Sequence, residues 1–236
     1  AAMTGGRRYV SLVPTQLHRL LDDPDAVAAL RTFSTVLVGG AAVPASLRGR
    51  AAGAGVTVVA TYGMSETCGG CVYDGMPLDG VAVVVGADGR IRLRGPVLFD
   101  GYDGRPDPTA EVLADGWFTT ADLGRLDHDG RLQVLGRVDD VIVSGGVNVP
   151  GPAVAARLRE HPAVEAAEVV GVPDDEWGQR VVAYVVGELS LDDARDWVGA
   201  EHPRSWAPRE LVVLDAVPLL PNGKTDRRAL EELAGG

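Results

Sequence analysis

The sequence is almost without lysine: of 22 Lys and Arg residues in a chain of 236, one alone is lysine, Lys224, within Pro221-Asn222-Gly223-Lys224-Thr225-Asp226-Arg227. A chain that uses arginine for nearly every surface cation has placed here a compact, mobile ammonium, which a planar guanidinium does not imitate. The same stretch also reads as an ordinary Pro-Asn-Gly turn with a solvated cation behind it. Cysteine is nearly as scarce. Cys68 and Cys71 form Cys-Gly-Gly-Cys, and no further cysteine or paired-histidine motif supplies the other two ligands of a zinc site, which favours two small buried thiols, or a chance pairing in a loop, over metal or redox chemistry. Positive charge is in deficit too, with 33 acidic residues against 22 basic ones and a formal charge of -11. That balance argues against a nucleic-acid footprint or an anionic membrane surface, so any phosphate must be held by local devices. No apolar run approaches the roughly 18 to 20 residues of a membrane span, and the first eight residues lack a signal peptide's apolar stretch. A cytoplasmic protein with no membrane insertion is expected.

What is present is enough apolar residue for a sizeable core, 46% of the chain, arranged in three textures. The first alternates helix and strand: an apolar helix around Leu12 to Leu21, a strand Thr35 to Val38, a helix from Pro44 to Ala52 and a strand Val56 to Ala60, with strands that read as buried on both faces. From Val81 the pattern turns to hairpins, Val81–Val85 with Arg90–Leu93 and Gly124–Leu126 with Leu132–Val134, which predicts a small antiparallel barrel or sheet. Beyond Asp140 come a strand Val141–Val143, a helix Pro152–Glu160, β runs Ala167–Val172 and Arg180–Val186, a helix near Leu191–Val198, a strand Glu210–Leu214 and a closing helix Arg227–Leu233. The glycine and charge cluster Gly136-Arg137-Val138-Asp139-Asp140 is the natural boundary, which divides the chain into 1–138 and 139–236.

Three short segments carry candidate chemistry. Tyr62-Gly63-Met64-Ser65-Glu66 follows a buried strand directly, so it reads as a loop at the strand's carboxyl end, where open α/β sheets place ligands and where a hydroxyl and a carboxylate can serve a phosphate and its Mg²⁺. Trp117-Phe118-Thr119-Thr120-Ala121-Asp122 puts a carboxylate just past an aromatic strand, and Arg137 puts a guanidinium at the boundary. Each alone reads more readily as a solvated turn or an ion pair than as a functional group.

Taken in order and spacing, these segments resemble the adenylate-forming superfamily of acyl-CoA synthetases, adenylation domains and luciferases. The resemblance implies an α/β chain made of the latter part of the large domain, a mixed sheet plus a small β-barrel subdomain, followed by a small mobile α+β domain. It implies that Gly39, Gly40, Ala41, Tyr62, Gly63, Asp122 and Arg137 bind ATP or AMP, that Ser65 and Glu66 serve the phosphates with Glu66 holding Mg²⁺, and that Lys224 is the catalytic lysine. Asp139 becomes a hinge, and Ser144, Gly145 and Gly146 a slot for the pantetheine of CoA. Within the superfamily, the segments Tyr9–Leu21, Tyr62–Cys71 and Ser144–Val149 are similar to those of the o-succinylbenzoate-CoA ligases of menaquinone biosynthesis. For such a dicarboxylate Arg19 is the natural partner of the second carboxylate, though a surface cation lying along an apolar helix reads the same way.

The implied reaction joins a small carboxylic acid to ATP as an acyl-adenylate and passes the acyl group to CoA. Two departures matter: Ala121 replaces the glycine that precedes the ribose-binding aspartate, a small change that should be tolerated, and, more seriously, the family's Ser/Thr/Gly-rich phosphate loop has no counterpart in these 236 residues. The chain is therefore expected to be the latter part of a longer enzyme. The alternatives are a non-catalytic nucleotide or acyl-adenylate binding fragment and an adenylation domain that loads a carrier-protein thiol. The sequence leaves the choice between monomer and homodimer open.

Overall fold

The computed structural model describes residues 6–220 and 225–234. They fall into two compact units, one holding the described residues through 120 together with 124–133, the other holding 121–123 together with those from 134 onward.

The first unit opens with strand β1 (Tyr9–Leu12), helices α1 (Pro14–Leu20) and α2 (Pro24–Leu30), β2 (Thr35–Val38), α3 (Ala45–Gly53) and β3 (Val58–Met64). Proline at the first helical positions of α1 and α2 loses no bond, because those N–H groups have no partner inside a helix. Asp23 caps α2 by accepting from the Asp25 N–H at 2.9 Å. Strands β1, β2 and β3 pair in parallel, Val10 beside Val36 and Val36 beside Val58. Side chains alternate across a strand, so Val10, Val36, Val38 and Val58 share one face, and against it pack Leu17, Leu30, Leu47 and Ala51 from the three helices. On the other face Tyr9 and Ser11 are exposed and Leu37 is only half-buried. The expectation of strands buried on both faces is thus met on one face among the described residues.

After a short 3-10 turn (Ser65–Thr67), β4 (Gly69–Tyr73) and β5 (Met76–Pro77) complete this sheet in the order β1-β2-β3-β4-β5, with β4 antiparallel to β3. The strand β3 is therefore longer than the sequence suggests. It pairs in parallel with β2 through Ala60 and then carries on, antiparallel to β4, to Met64. Tyr62, Gly63 and Met64 lie in a strand, and the loop is confined to Ser65–Thr67.

The predicted hairpins form next. Strands β6 (Ala82–Val85) and β7 (Arg90–Arg94), helix α4 (Pro106–Val112), and strands β8 (Leu113–Ala114), β9 (Trp117–Leu126) and β10 (Leu132–Arg137) give a sheet in the order β10-β9-β7-β6, with β8 paired to β9. Among the described residues no pairing joins β6 to β10. Cys71, Val72, Ile91, Leu93, Phe118 and Leu132 make a second apolar core.

The second unit comprises β11 (Val141–Ser144), β12 (Val147–Pro150), α5 (Gly151–Leu158), β13 (Val164–Asp174), β14 (Gly178–Gly187), α6 (Leu191–Gly199), β15 (Glu210–Val213) and α7 (Arg227–Ala234). Its sheet runs β12-β11-β14-β13, with β15 parallel to β14. Along β14, Val181, Ala183 and Val185 face a core shared with Val154, Leu158, Ala194 and Val198 of α5 and α6, while Val182 and Tyr184 face Leu230 of α7. This strand, buried on both sides, is the near-continuous apolar run Val181–Val186 of the sequence. The Tyr184 hydroxyl donates to the Leu230 carbonyl at 2.5 Å, and burial raises its pKa. No described helix is long and apolar enough to cross a membrane.

Candidate functional site

In the first unit a cleft of about 380 Å³ opens at the carboxyl ends of the parallel strands, lined by Ser11, Val13, Gln16, Leu37, Gly39, Gly40, Thr61, Gly63, Met64, Gly69 and Gly70, together with Leu12. This is where an open α/β sheet places ligands. Three residues singled out in the sequence, Gly39, Gly40 and Gly63, meet here. Close approach explains two of them, since a Cβ at Gly39 would lie 2.3 Å from Thr61 Oγ1 and one at Gly63 would lie 1.9 Å from the Gly69 carbonyl oxygen, while Gly40 has a left-handed backbone at φ 79. Only bare backbone lets β3 and β4 close over this register shift at Tyr62 and Gly63. Ala41 follows the left-handed Gly40 and is exposed. Tyr62 is absent from the lining; its ring packs against the Cys71, Val72 and Phe118 core.

Gln16 was not singled out in the sequence, yet it is a polar side chain of α1 that reaches the cleft. Its carbonyl accepts from the Val13 N–H at 3.0 Å, which closes the first turn of the helix. A glutamine three residues past a helix start was the available signal. Arg19 lies three residues further along α1, exposed, with no hydrogen bond or ion pair from its side chain to a described residue. Its neighbours are engaged instead: Arg50 meets His18 Nδ1 at 3.0 Å and Asp22 at 2.6 Å.

Met64, which lines the cleft, is followed in the chain by the turn that carries Ser65 and Glu66. Thr67, only 2% exposed, anchors this turn: its Oγ1 accepts from the Met64 N–H at 2.9 Å and lies 2.7 Å from the Gly69 carbonyl, to which it donates. Ser65 is exposed. Glu66 is held from two directions, by the Tyr102 hydroxyl on Oε1 at 2.9 Å and by the Phe99 N–H on its backbone carbonyl at 2.9 Å. Burial and then the bond to Glu66 raise the Tyr102 pKa. Oε2 accepts from no described residue. One carboxylate with a free oxygen fits Mg²⁺, which takes one or two carboxylates and completes its shell with water and substrate phosphates.

The two cysteines differ. Cys71 is fully buried and its thiol pKa is raised by desolvation, whereas Cys68 is exposed with a left-handed backbone at φ 53; both are free. Cys71 is thus a small buried thiol and Cys68 a cysteine of an exposed turn, the two alternatives to metal or redox chemistry that the spacing offered.

In the second unit Asp122 and Arg137 are brought together, Arg137 Nη1 lying 3.5 Å from Asp122 Oδ1 and Nη2 lying 3.6 Å from Asp139. The Asp122 side chain is 13% exposed and that of Arg137 55%. The exposed Asp139 occupies a 3-10 turn (Val138–Asp140), and its neighbour Asp140 pairs with Arg227. Gly145 and Gly146 form the two-residue turn between β11 and β12, both with positive φ (57° and 76°), the conformation of a tight hairpin turn. At Gly145 the space expected as a slot is filled: a Cβ there would lie 2.6 Å from the Trp177 ring. Trp177 in turn stacks with the Arg209 guanidinium, 3.2 Å from the ring centre. At Gly146 nothing lies within 4 Å of the place a Cβ would take, and the Ser144 Oγ is buried without a partner. Trp177 and Arg209 carry no motif of their own, and only the chain's return through β14 and β15 marks them. Lys224, with Pro221 to Gly223, lies outside the described residues.

Known proteins share this arrangement. Residues 6–103 match the AMP-binding enzyme family and residues 153–224 match the AMP-binding enzyme C-terminal domain. The chain thus carries sequence of both an AMP-binding domain and an AMP-binding C-terminal domain. More particularly, a probable 2-succinylbenzoate–CoA ligase of Mycobacterium tuberculosis is 50% identical over 234 residues, covering 95% of this chain and 60% of the relative. The o-succinylbenzoate-CoA synthetase of Bacillus subtilis, solved with its acyl-adenylate intermediate, superposes with a TM-score of 0.73 at 29% identity, over 95% of this chain and 51% of that one. An amide bond synthetase of Marinactinospora thermotolerans gives a TM-score of 0.80 at 29% identity, over 96% of this chain and 52% of that one. The chain thus spans between half and two thirds of the length of these relatives.

Proposed function

We propose that the protein to which these residues belong is an ATP-dependent, AMP-forming acid–CoA ligase whose acid is o-succinylbenzoate. The observation that carries this reading is the 50% identity to a probable 2-succinylbenzoate–CoA ligase, sustained over 95% of the chain. In the proposed first step a carboxylate oxygen of the acid attacks the α-phosphorus of ATP, and pyrophosphate leaves. In the second a CoA thiolate attacks the acyl carbon, and AMP leaves.

The cleft at Gly39, Gly40 and Gly63 would receive part of the nucleotide or acyl-adenylate, since bare backbone admits a flat or anionic group closely. Glu66 would hold Mg²⁺, which when bound neutralises phosphate charge; Ser65 would offer its hydroxyl to the same phosphates. Asp122 would accept from the ribose hydroxyls, with the Arg137 guanidinium 3.5 Å away. Lys224 would place positive charge where negative charge concentrates in the adenylation transition state. Asp139 would be the pivot of the second unit, whose residues 139–236 would act as the mobile domain. Ser144 and the open side of Gly146, against the Trp177 ring, would border the pantetheine arm. Arg19 would meet the second carboxylate of the acid.

The test is product analysis. The full-length gene product, given ATP, Mg²⁺ and o-succinylbenzoate, is offered free CoA, a carrier protein or a simple amine in parallel, and products are identified by mass. The amine arm answers the likeness to an amide bond synthetase. A thioester with free CoA alone is expected; amide alone, or carrier-protein loading alone, would reassign the acceptor, and absence of acyl-adenylate in every arm would leave a nucleotide-binding fragment.

A further inference from the structure

Glu66 is an anion with no cationic partner: among the described residues it enters no ion pair, and the one side-chain donor it meets is the neutral hydroxyl of Tyr102. The distinction has chemical content. An arginine in that place would neutralise the carboxylate and compete with a cation for it, whereas a phenol holds the carboxylate in one rotamer and leaves its full charge available. The phenol is itself fixed. The Tyr102 N–H donates to Thr109 Oγ1 at 2.9 Å, and that hydroxyl donates to the Arg105 carbonyl at 2.8 Å. The Phe99 ring stands edge-on to both Tyr102 and Phe118, at 5.0 and 5.4 Å between centres, while its N–H grips the Glu66 backbone. One short segment, Phe99 to Tyr102, thus holds Glu66 by both main chain and side chain, from 33 to 36 residues away.

We propose that Tyr102 is a positioning residue for Glu66: by binding Oε1 it aims Oε2 at the cation, and so sets the affinity of the protein for metal-bound ATP. The inference rests on the reading of Glu66 as the Mg²⁺ carboxylate. It predicts that the hydroxyl, and not the ring, is what matters.

The experiment uses the full-length gene product and four forms: wild type, Tyr102→Phe, Tyr102→Leu and Glu66→Gln. ATP binding is measured by calorimetry with and without Mg²⁺, Mn²⁺ binding is followed by electron paramagnetic resonance, and thermal unfolding is recorded without ligand. Tyr102→Phe keeps the ring against Phe99 and is expected to weaken Mn²⁺ and Mg²⁺-dependent ATP binding roughly five- to tenfold, less than loss of a direct bond to a charged ligand costs, because the hydroxyl acts on the cation only through Glu66. ATP binding without metal should change less than twofold, and the unfolding midpoint should stay close to wild type. Tyr102→Leu should match Tyr102→Phe in metal dependence while unfolding at lower temperature.

If only Tyr102→Leu loses binding, the ring acts by packing and the inference fails. Equal loss of metal-free and metal-dependent binding in Tyr102→Phe overturns it as well. Glu66→Gln separates the inference from its premise: should it leave metal dependence intact, the Mg²⁺ role of Glu66 falls, whereas a metal defect in Glu66→Gln without one in Tyr102→Phe defeats the positioning role alone.

Discussion

Thr67→Val tests how the candidate catalytic turn is held. Valine matches threonine in shape but has no hydroxyl, so the change removes bonds without leaving a hole. In the folded protein the Thr67 Oγ1 accepts from the Met64 N–H at 2.9 Å and donates to the Gly69 carbonyl at 2.7 Å, on a side chain that is 2% exposed. Both backbone groups then lack their partner in a part-buried site, where each such loss costs about 1 to 3 kcal/mol. The total expected is about 2 to 4 kcal/mol, below the sum of two maxima because water can reach part of this turn. Thr67→Ser keeps the hydroxyl and loses one methyl, for about 1 kcal/mol. The assay is urea unfolding for the global cost, with hydrogen exchange of a peptide spanning residues 64–70 for the local one. Exchange of the Cys68 N–H, which bonds the Ser65 carbonyl at 3.0 Å, should accelerate in Thr67→Val and little in Thr67→Ser. A Thr67→Val protein within about 0.5 kcal/mol of wild type, or a Thr67→Ser protein less stable than Thr67→Val, would refute the anchoring role, since the first is the scatter of neutral surface changes.

Glycine to alanine should split by position: Gly63→Ala drives a methyl into the Gly69 carbonyl and should cost at least about 2 kcal/mol, whereas Gly49→Ala, in α3 with open space around it, should stabilise by about 0.5 to 1 kcal/mol. Chemical denaturation of both variants checks the pair. Thiol labelling under native conditions should modify Cys68 rapidly and Cys71 only on unfolding, because Cys71 is fully buried; mass mapping of the labelled peptide reads this out, and equal rates would contradict the packing of β4. Arg19→Ala in the full-length protein should raise KM for o-succinylbenzoate tenfold or more, for loss of a charge-assisted bond worth about 1.5 to 3 kcal/mol, and barely affect monocarboxylate analogues. Equal losses on both acids would make Arg19 a packing residue. Lys224→Ala should abolish acyl-adenylate formation while sparing thioester formation from pre-made adenylate, followed by pyrophosphate release and thioester yield.

Much of the architecture was legible in the residues, and the misses have definite causes. The α/β alternation, the two hairpins and the second unit's succession of strands and helices follow from periods of 3.6 and 2, which local sequence carries. Strand β1 has no counterpart among the expected elements, and its last residue, Leu12, falls at the start of the expected helix, because nothing local separates two adjacent apolar elements. Helix α2 escaped because its Pro24-Asp25 start reads as a turn, and it is stabilised by Leu30 packing on a sheet laid down by residues elsewhere. The end of β3 was misplaced since Tyr62-Gly63 looks like a loop until β4 returns beside it.

By itself the sequence determined the chemistry on offer: one lysine in an Asn-Gly-Lys turn, a Ser-Glu pair after a buried strand, an Asp and an Arg flanking two β runs, and paired glycines after Ser144. Residue type and spacing are local properties, so these were readable without a fold. Only the tertiary structure decided what each of them meets. Residues 33 and 36 positions apart were needed to hold Glu66, Trp177 was needed to fill the space beside Gly145, and Gln16 reached the cleft although no motif in the sequence marked it. Such pairings depend on loop closure and on packing between elements far apart in the chain, whose free energy is collective and leaves no mark on any one segment.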